Sequence, residues 1–160
     1  MAKVLIIYYS RSGHTAKMAD IVAEGVRESG AEPMVKDVGK AKVDELLEVD
    51  GVIIGSPTYY GTMAAEIKKF IDDSVKHHGK LVGKVGGAFA SSGGLAGGNE
   101  TTVLDVVKAL LIHGMIIPGN VEGDHYGAVA VGAPDKRSAE QCRILGKIVG
   151  SLCIRLAGKN

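Results

Sequence analysis

The chain has 160 residues, a length that suits one domain, residues 1–160, around a single core. Apolar residues make up 46% and charged residues 23%, an ordinary globular composition, and the formal net charge of +1 removes the electrostatic case for nucleic acid or an anionic membrane. The opening apolar run, MAKVLIIYYS, is too short for a signal peptide or a membrane span, so a cytoplasmic protein is expected.

In chain order, Lys3 to Tyr9 is a continuous β-rich apolar run, the mark of a strand covered on both faces. Thr15, Ala19, Val22 and Val26 recur at helical spacing, and Gly30 is placed to stop that helix. Glu32 to Val38 reads as a second strand, and Pro33 near its start suits a sheet edge. A weak helix around Val43 to Leu47 precedes a third strand, Gly51 to Ser56. Ile67, Phe70, Ile71 and Val75 form another helical stripe, and Lys84 to Ser91 is a fourth strand rich in small residues. Thr102 to His113 is a helix with Val103, Val106, Val107 and Leu110 facing inward. Met115 to Pro118 and Ala128 to Val131 read as two pieces of a fifth strand, split by the polar stretch 119–127. The last helix runs from about Lys136 to Leu156, with Cys142, Leu145, Val149, Leu152 and Leu156 on its inner face. Its two cysteines, Cys142 and Cys153, stand about 16 Å apart along that helix, too far for a disulfide, and read as packed thiols in a reducing compartment.

This alternation predicts an α/β fold: a doubly wound, five-stranded parallel sheet in the order 2-1-3-4-5, sandwiched between two helical layers. In that order ligands bind outside the carboxyl ends of the strands, where the order reverses. The loops there are SRSGHT (10–15), PTYYG (57–61) and SGGLAGG (92–98). In the first, the start of a helix offers unpaired N–H groups, Ser10, Ser12 and Thr15 add hydroxyls, and Gly13 permits a tight turn, which together fit a phosphate monoester. Neither a Walker A loop nor, after the first strand, a G-x-G-x-x-G fingerprint is present, and simple N-capping by Ser12 or a neighbour is the competing explanation. In the second, Tyr59 and Tyr60, bracketed by Pro57 and Gly61, are either surface and core-covering residues or flat partners for an aromatic ring. The glycines of the third make either a flexible connection or a backbone cradle. A phosphate turn beside two loops suited to a planar heteroaromatic describes a mononucleotide, and FMN fits best.

With GSPTYYGTMAAEIKKFID and SSGGLAGGNETT following the serine-rich turn, nearly the whole chain resembles the flavodoxin-like family, and within it the WrbA-type NAD(P)H:quinone oxidoreductase branch. The resemblance implies an FMN protein. Ser10, Arg11, Ser12, Gly13, His14 and Thr15 would hold the phosphate. Pro57, Thr58, Tyr59, Tyr60 and Gly61 would line the ring. Ser91, Ser92, Gly93, Gly94, Leu95 and Gly97 would meet the ring edge and the ribityl chain. His113 matches a histidine that borders the active site in that branch; its other reading is a helix-end residue near the dipole. The chain has no tryptophan and lacks that branch's long insertions. The implied partners are NAD(P)H and a quinone-like acceptor, or, for a flavodoxin-type carrier, other redox proteins; a homo-oligomer is compatible with either. His77 and His78 read as a solvated helix end rather than a metal site, and Asp72 and Asp73 as a charged helix face. His125 and Tyr126 sit in the stretch that splits the last strand, an inserted loop from which they could reach the flavin.

Overall fold

The computed structural model describes residues 1–158. The elements run β1 (Lys3–Tyr8), α1 (His14–Glu28), β2 (Glu32–Asp37), a 3₁₀ turn (Val43–Leu47), β3 (Gly51–Tyr59), β4 (Thr62–Met63), α2 (Ala65–Asp73), a second 3₁₀ turn (Ser74–His77), β5 (Val85–Ser92), α3 (Asn99–Ile112), β6 (Ala128–Val131) and α4 (Lys136–Leu156). The main sheet is parallel throughout, in the order β2-β1-β3-β5-β6, with β4 folded back antiparallel on the end of β3. Discounting that short hairpin strand, this is the expected 2-1-3-4-5 order. Pro33 lies on the edge strand, where its missing N–H costs no ladder bond. The fifth strand is indeed split: Ile116 makes one parallel bridge to Val85, and Ala128–Val131 pairs with Phe89–Ser92.

Side-chain alternation explains the unbroken apolar runs. Val4, Ile6 and Ile53 point to the face covered by α1 and α4, while Leu5, Ile7, Val52 and Ile54 point to the face covered by α2 and α3. Two glycines let α1 and α4 touch along their backbones. A Cβ on Gly25 would stand 2.0 Å from the Arg143 carbonyl oxygen, and one on Gly146 would stand 2.1 Å from that of Val22. Within the sheet, the Phe89 ring covers Gly55, where a Cβ would meet it at 2.0 Å.

Four sequence expectations need correction. Val75 is exposed, because α2 ends at Asp73 and the chain tightens into a 3₁₀ turn there. Leu156 is half exposed, since the last turn of α4 runs past the core and Cys153 is buried instead. The run 57–61 is not a loop: Pro57, Thr58 and Tyr59 extend β3. His77 is buried and paired rather than solvated. Cys142 and Cys153 are free and buried, and burial first of all pushes each thiol up to about 12, so neither is a thiolate near neutrality.

Filling the α1–α4 contact tests this layer. Gly146→Ala forces a methyl against backbone and lowers stability by about 2–3 kcal/mol in urea denaturation; a loss below about 0.5 kcal/mol contradicts the packing.

Candidate functional site

The parallel sheet sends the ends of β1, β3 and β5 out at one edge, and the three segments that follow them meet there. After β1 the chain turns through residues 9–13. Gly13 adopts φ 94°, a left-handed conformation that an L side chain resists, and its N–H donates to Ser10 Oγ at 3.1 Å. Helix α1 then starts with no side-chain cap and no acidic residue in its first turn. Ser12 therefore does not cap this helix, and the N–H groups of the first turn remain free to meet an anion. Arg11 and Ser12 are exposed beside them, and His14 opens the helix half-buried. Thr15 is buried, and its Oγ1 shares a hydrogen bond of 2.9 Å with Ser91 Oγ, joining the start of α1 to the end of β5.

After β3 the chain reverses at Tyr60 and Gly61, with φ 48° and 84°, the pattern of a two-residue I′ hairpin turn. Ser56 Oγ accepts from the Ala64 N–H at 2.9 Å and donates to the Pro57 carbonyl at 2.8 Å, which fixes where the hairpin closes. Helix α3 holds the hairpin from the other side. Thr102 donates to Thr58 Oγ1 at 3.0 Å, Thr62 donates to Asp105 at 2.6 Å, and Thr101 reaches the Gly61 carbonyl at 3.4 Å. The Asp105 carboxyl is held below its ordinary range by Lys108 first and by Thr62 second. Tyr60 stands fully exposed at the tip, while Tyr59 meets the Tyr9 ring edge-on at 6.4 Å. Desolvation and then the neighbouring Glu66 carboxylate raise the Tyr9 hydroxyl, which stays neutral.

After β5, Ser91 and Ser92 are buried, and Ser92 Oγ both donates to the Gly94 carbonyl and accepts from Asn99 Nδ2, each at 2.9 Å. This bond pattern closes residues 92–99 into a loop with Leu95 on the outside, 92% exposed. Gly97 is obligatory by space, since a Cβ there would sit 2.6 Å from the Gly94 carbonyl oxygen. Around the mouth, a Cβ on Gly13, Gly61, Gly93 or Gly94 would meet nothing within 4 Å, so their backbones face open space. Tyr60 and Ala96 are the two non-glycine residues with left-handed backbones among the described residues, one in the hairpin turn and the other in the β5–α3 loop.

Residues 10–15, 57–61 and 91–97 therefore converge. His113 does not join them. It closes the far end of the 14-residue α3, about 21 Å from the mouth, because the helix runs antiparallel to the strands. There its Nε2 meets Ser74 Oγ at 2.8 Å, while its buried Nδ1 has no partner. Burial first, then His78 and His77, push its pKa down, so it is neither a ring neighbour nor a cation at the dipole. His77 Nε2 pairs with Asp44 at 2.7 Å. Asp72 and Asp73 pair with Lys68 and Lys69 on an exposed helix face, as expected. His125 folds back on its own loop, donating from Nδ1 to the Asn120 carbonyl at 2.8 Å. Asn99, Thr101, Thr102 and Asp105 were not foreseen as supports of the site; the polar first turn NETT after Gly98 was their signal.

The flavodoxin domain family matches residues 5–110. The chain is similar to a flavodoxin of Aquifex aeolicus, 40% identical over 156 residues that take in 92% of this chain and 84% of the relative. It is also similar to an NAD(P)H dehydrogenase (quinone) of Archaeoglobus fulgidus, 34% identical over 190 aligned residues, with 98% of this chain and 100% of the relative covered. That alignment is longer than the chain, so the relative carries insertions. Among solved structures, a flavodoxin, WrbA-like protein from Agrobacterium tumefaciens superposes with a TM-score of 0.82 at 29% identity, over 97% of this chain and 99% of the other.

The displaced histidine gives a pH test. Burial lowers the pKa of His113 below its ordinary 6.5, so the unfolded chain takes up this proton first. The stability linked to it is complete above pH 6.5 and is lost as pH falls through the folded value. Denaturation midpoints drop between about pH 7.5 and about pH 5, and His113→Gln, which keeps a partner for Ser74, flattens that drop. An unchanged slope in the variant contradicts the assignment.

Proposed function

Because the chain belongs to the flavodoxin domain family, we propose that it is an FMN-binding redox protein that takes reducing equivalents from NAD(P)H and delivers them to a quinone-like acceptor. The observation that carries this reading is the uncapped, acid-free start of α1 beside a hairpin turn and a loop whose glycine backbones border open space. An anion would be held at the first, and a planar ring at the other two. Ser10, Arg11, Ser12, Gly13, His14 and Thr15 would take the phosphate. Thr58 to Gly61 and Ser91 to Gly97 would line the ring, with N–H groups for its carbonyl oxygens and the Tyr60 face for its plane. FMN supplies reversible one- and two-electron chemistry at its ring when bound.

The protein's own residues orient and shield. The α3 threonines hold the hairpin against the first turn of α3. The buried Ser91–Thr15 bond ties the start of α1 to the end of β5, so the phosphate turn and the ring-lining segments would keep one arrangement. No side chain at the mouth is required as acid or base. The balanced charge of the chain, with 18 acidic against 19 basic residues, gives no overall acidic excess to steer a basic protein partner, which favours a small-molecule acceptor. The relative that is an NAD(P)H dehydrogenase (quinone) supports the same direction. A flavodoxin-type carrier between proteins is the second reading, supported by the Aquifex flavodoxin. Among the described residues no helix is long and apolar enough to cross a membrane. In this reading residues 1–160 act as one domain in the cytoplasm, where free thiols persist.

Loaded with FMN, the protein oxidises NADH or NADPH with benzoquinone at least roughly tenfold faster than the same concentration of free FMN. Turnover no faster than free FMN, with stepwise reduction halting at a one-electron stage, transfers the assignment to the carrier. Ser12→Glu, on an exposed residue, weakens FMN binding at least roughly tenfold, read by fluorescence quenching, while far-ultraviolet circular dichroism is unchanged. Undiminished affinity in that variant contradicts the phosphate site.

A further inference from the structure

The connection from β2 to β3 covers its side of the sheet with a single 3₁₀ turn. Between that connection and α2 lies a groove of about 580 Å³, within the size range of small-molecule sites. Its apolar lining comes from Tyr9, Val38, Ala41, Val43 and Phe70, all joined to the core on the α2 side. Its charges are largely paired, with one carboxylate in excess. Lys69 pairs with Asp73 and Lys76 with Asp44, each at 2.6 Å, and Asp37, Glu66 and Lys42 complete a rim of four carboxylates and three ammonium groups. No net positive field awaits a pyrophosphate, and no buried lone carboxylate awaits a cation. An uncharged, apolar occupant matches such a lining.

One end of the groove is at Tyr9, whose ring abuts Tyr59 of the hairpin. The groove thus ends one tyrosine pair away from the mouth where the acceptor would react. We propose that this groove is the subsite for the apolar side chain of an alkyl- or prenyl-substituted quinone, with the quinone head at the mouth. The assignment deepens the quinone-reductase reading and rests on it for the identity of the head group. Each buried methylene favours transfer out of water by about fourfold, so two or three of them in the groove give more than tenfold selectivity for a tailed acceptor.

The test uses FMN-loaded protein, a decyl-substituted benzoquinone and unsubstituted benzoquinone. Methyl resonances of Val38, Ala41 and Val43 shift with the decyl compound and not with the unsubstituted one. In steady state, kcat/KM for the decyl compound exceeds that for benzoquinone at least tenfold. Ala41→Trp, which fills the groove, removes this advantage and leaves benzoquinone turnover unchanged; Val43→Asp, a smaller change in bulk, gives the same readout should the tryptophan disturb folding. Methyls silent to the decyl compound, or shifted instead by ADP, overturn the proposal whatever the turnover. Methyl shifts without quinone turnover uphold the groove and overturn the reductase reading alone.

Discussion

A buried hydrogen bond of 2.9 Å between Thr15 and Ser91 joins two segments 76 positions apart, and the site depends on the arrangement that permits it. It exists because β1 and β5 point the same way on either side of β3, so the start of α1 and the end of β5 arrive at one edge of the sheet. The apolar alternation that buries Val4 and Ile6 on one face and Leu5 and Ile7 on the other fixes that direction. A one-residue slip in β1 would invert both faces at once. The segments after β1, β3 and β5 thus inherit their mutual position from the core.

The mouth itself is built with local cost. Tyr60 and Ala96 hold left-handed backbones that glycine would adopt more readily. Tyr60 and Leu95 expose apolar side chains that the fold leaves uncovered. Such positions persist when their surroundings over-determine them. Here those surroundings are the threonines of α3 on one side and the Ser92–Asn99–Gly94 bonds on the other. Strain and exposed apolar surface coincide where a flat ligand would cover both.

The topology was legible because it is written in long periodic runs. Strands buried on both faces read as unbroken apolar stretches, and Pro33 marked the edge strand. The meeting of the three segments at one edge of the sheet was legible because glycine, serine and threonine cluster where the alternation breaks. The hairpin was hidden in PTYYG: its turn needs left-handed backbone at Tyr60, which a tyrosine does not advertise. His113 was misplaced because its distance from the mouth is set by the full length of α3, not by any motif around it. The close helix contact at Gly25 and Gly146 was equally silent, since a glycine inside a helical pattern does not name its partner. The groove beside α2 arises from what the β2–β3 connection lacks, a helix, and short connections carry no signal for the surface they leave open.

In the proposed function, the start of α1 anchors a phosphate group. Comparing the dissociation constants of FMN and riboflavin for the same protein, by titration calorimetry at fixed ionic strength, isolates that anchor, because the two ligands share the ring and the ribityl chain. The anchor predicts riboflavin binding weaker by about a hundredfold or more. Affinities within about threefold of each other would show that the uncapped helix start holds nothing.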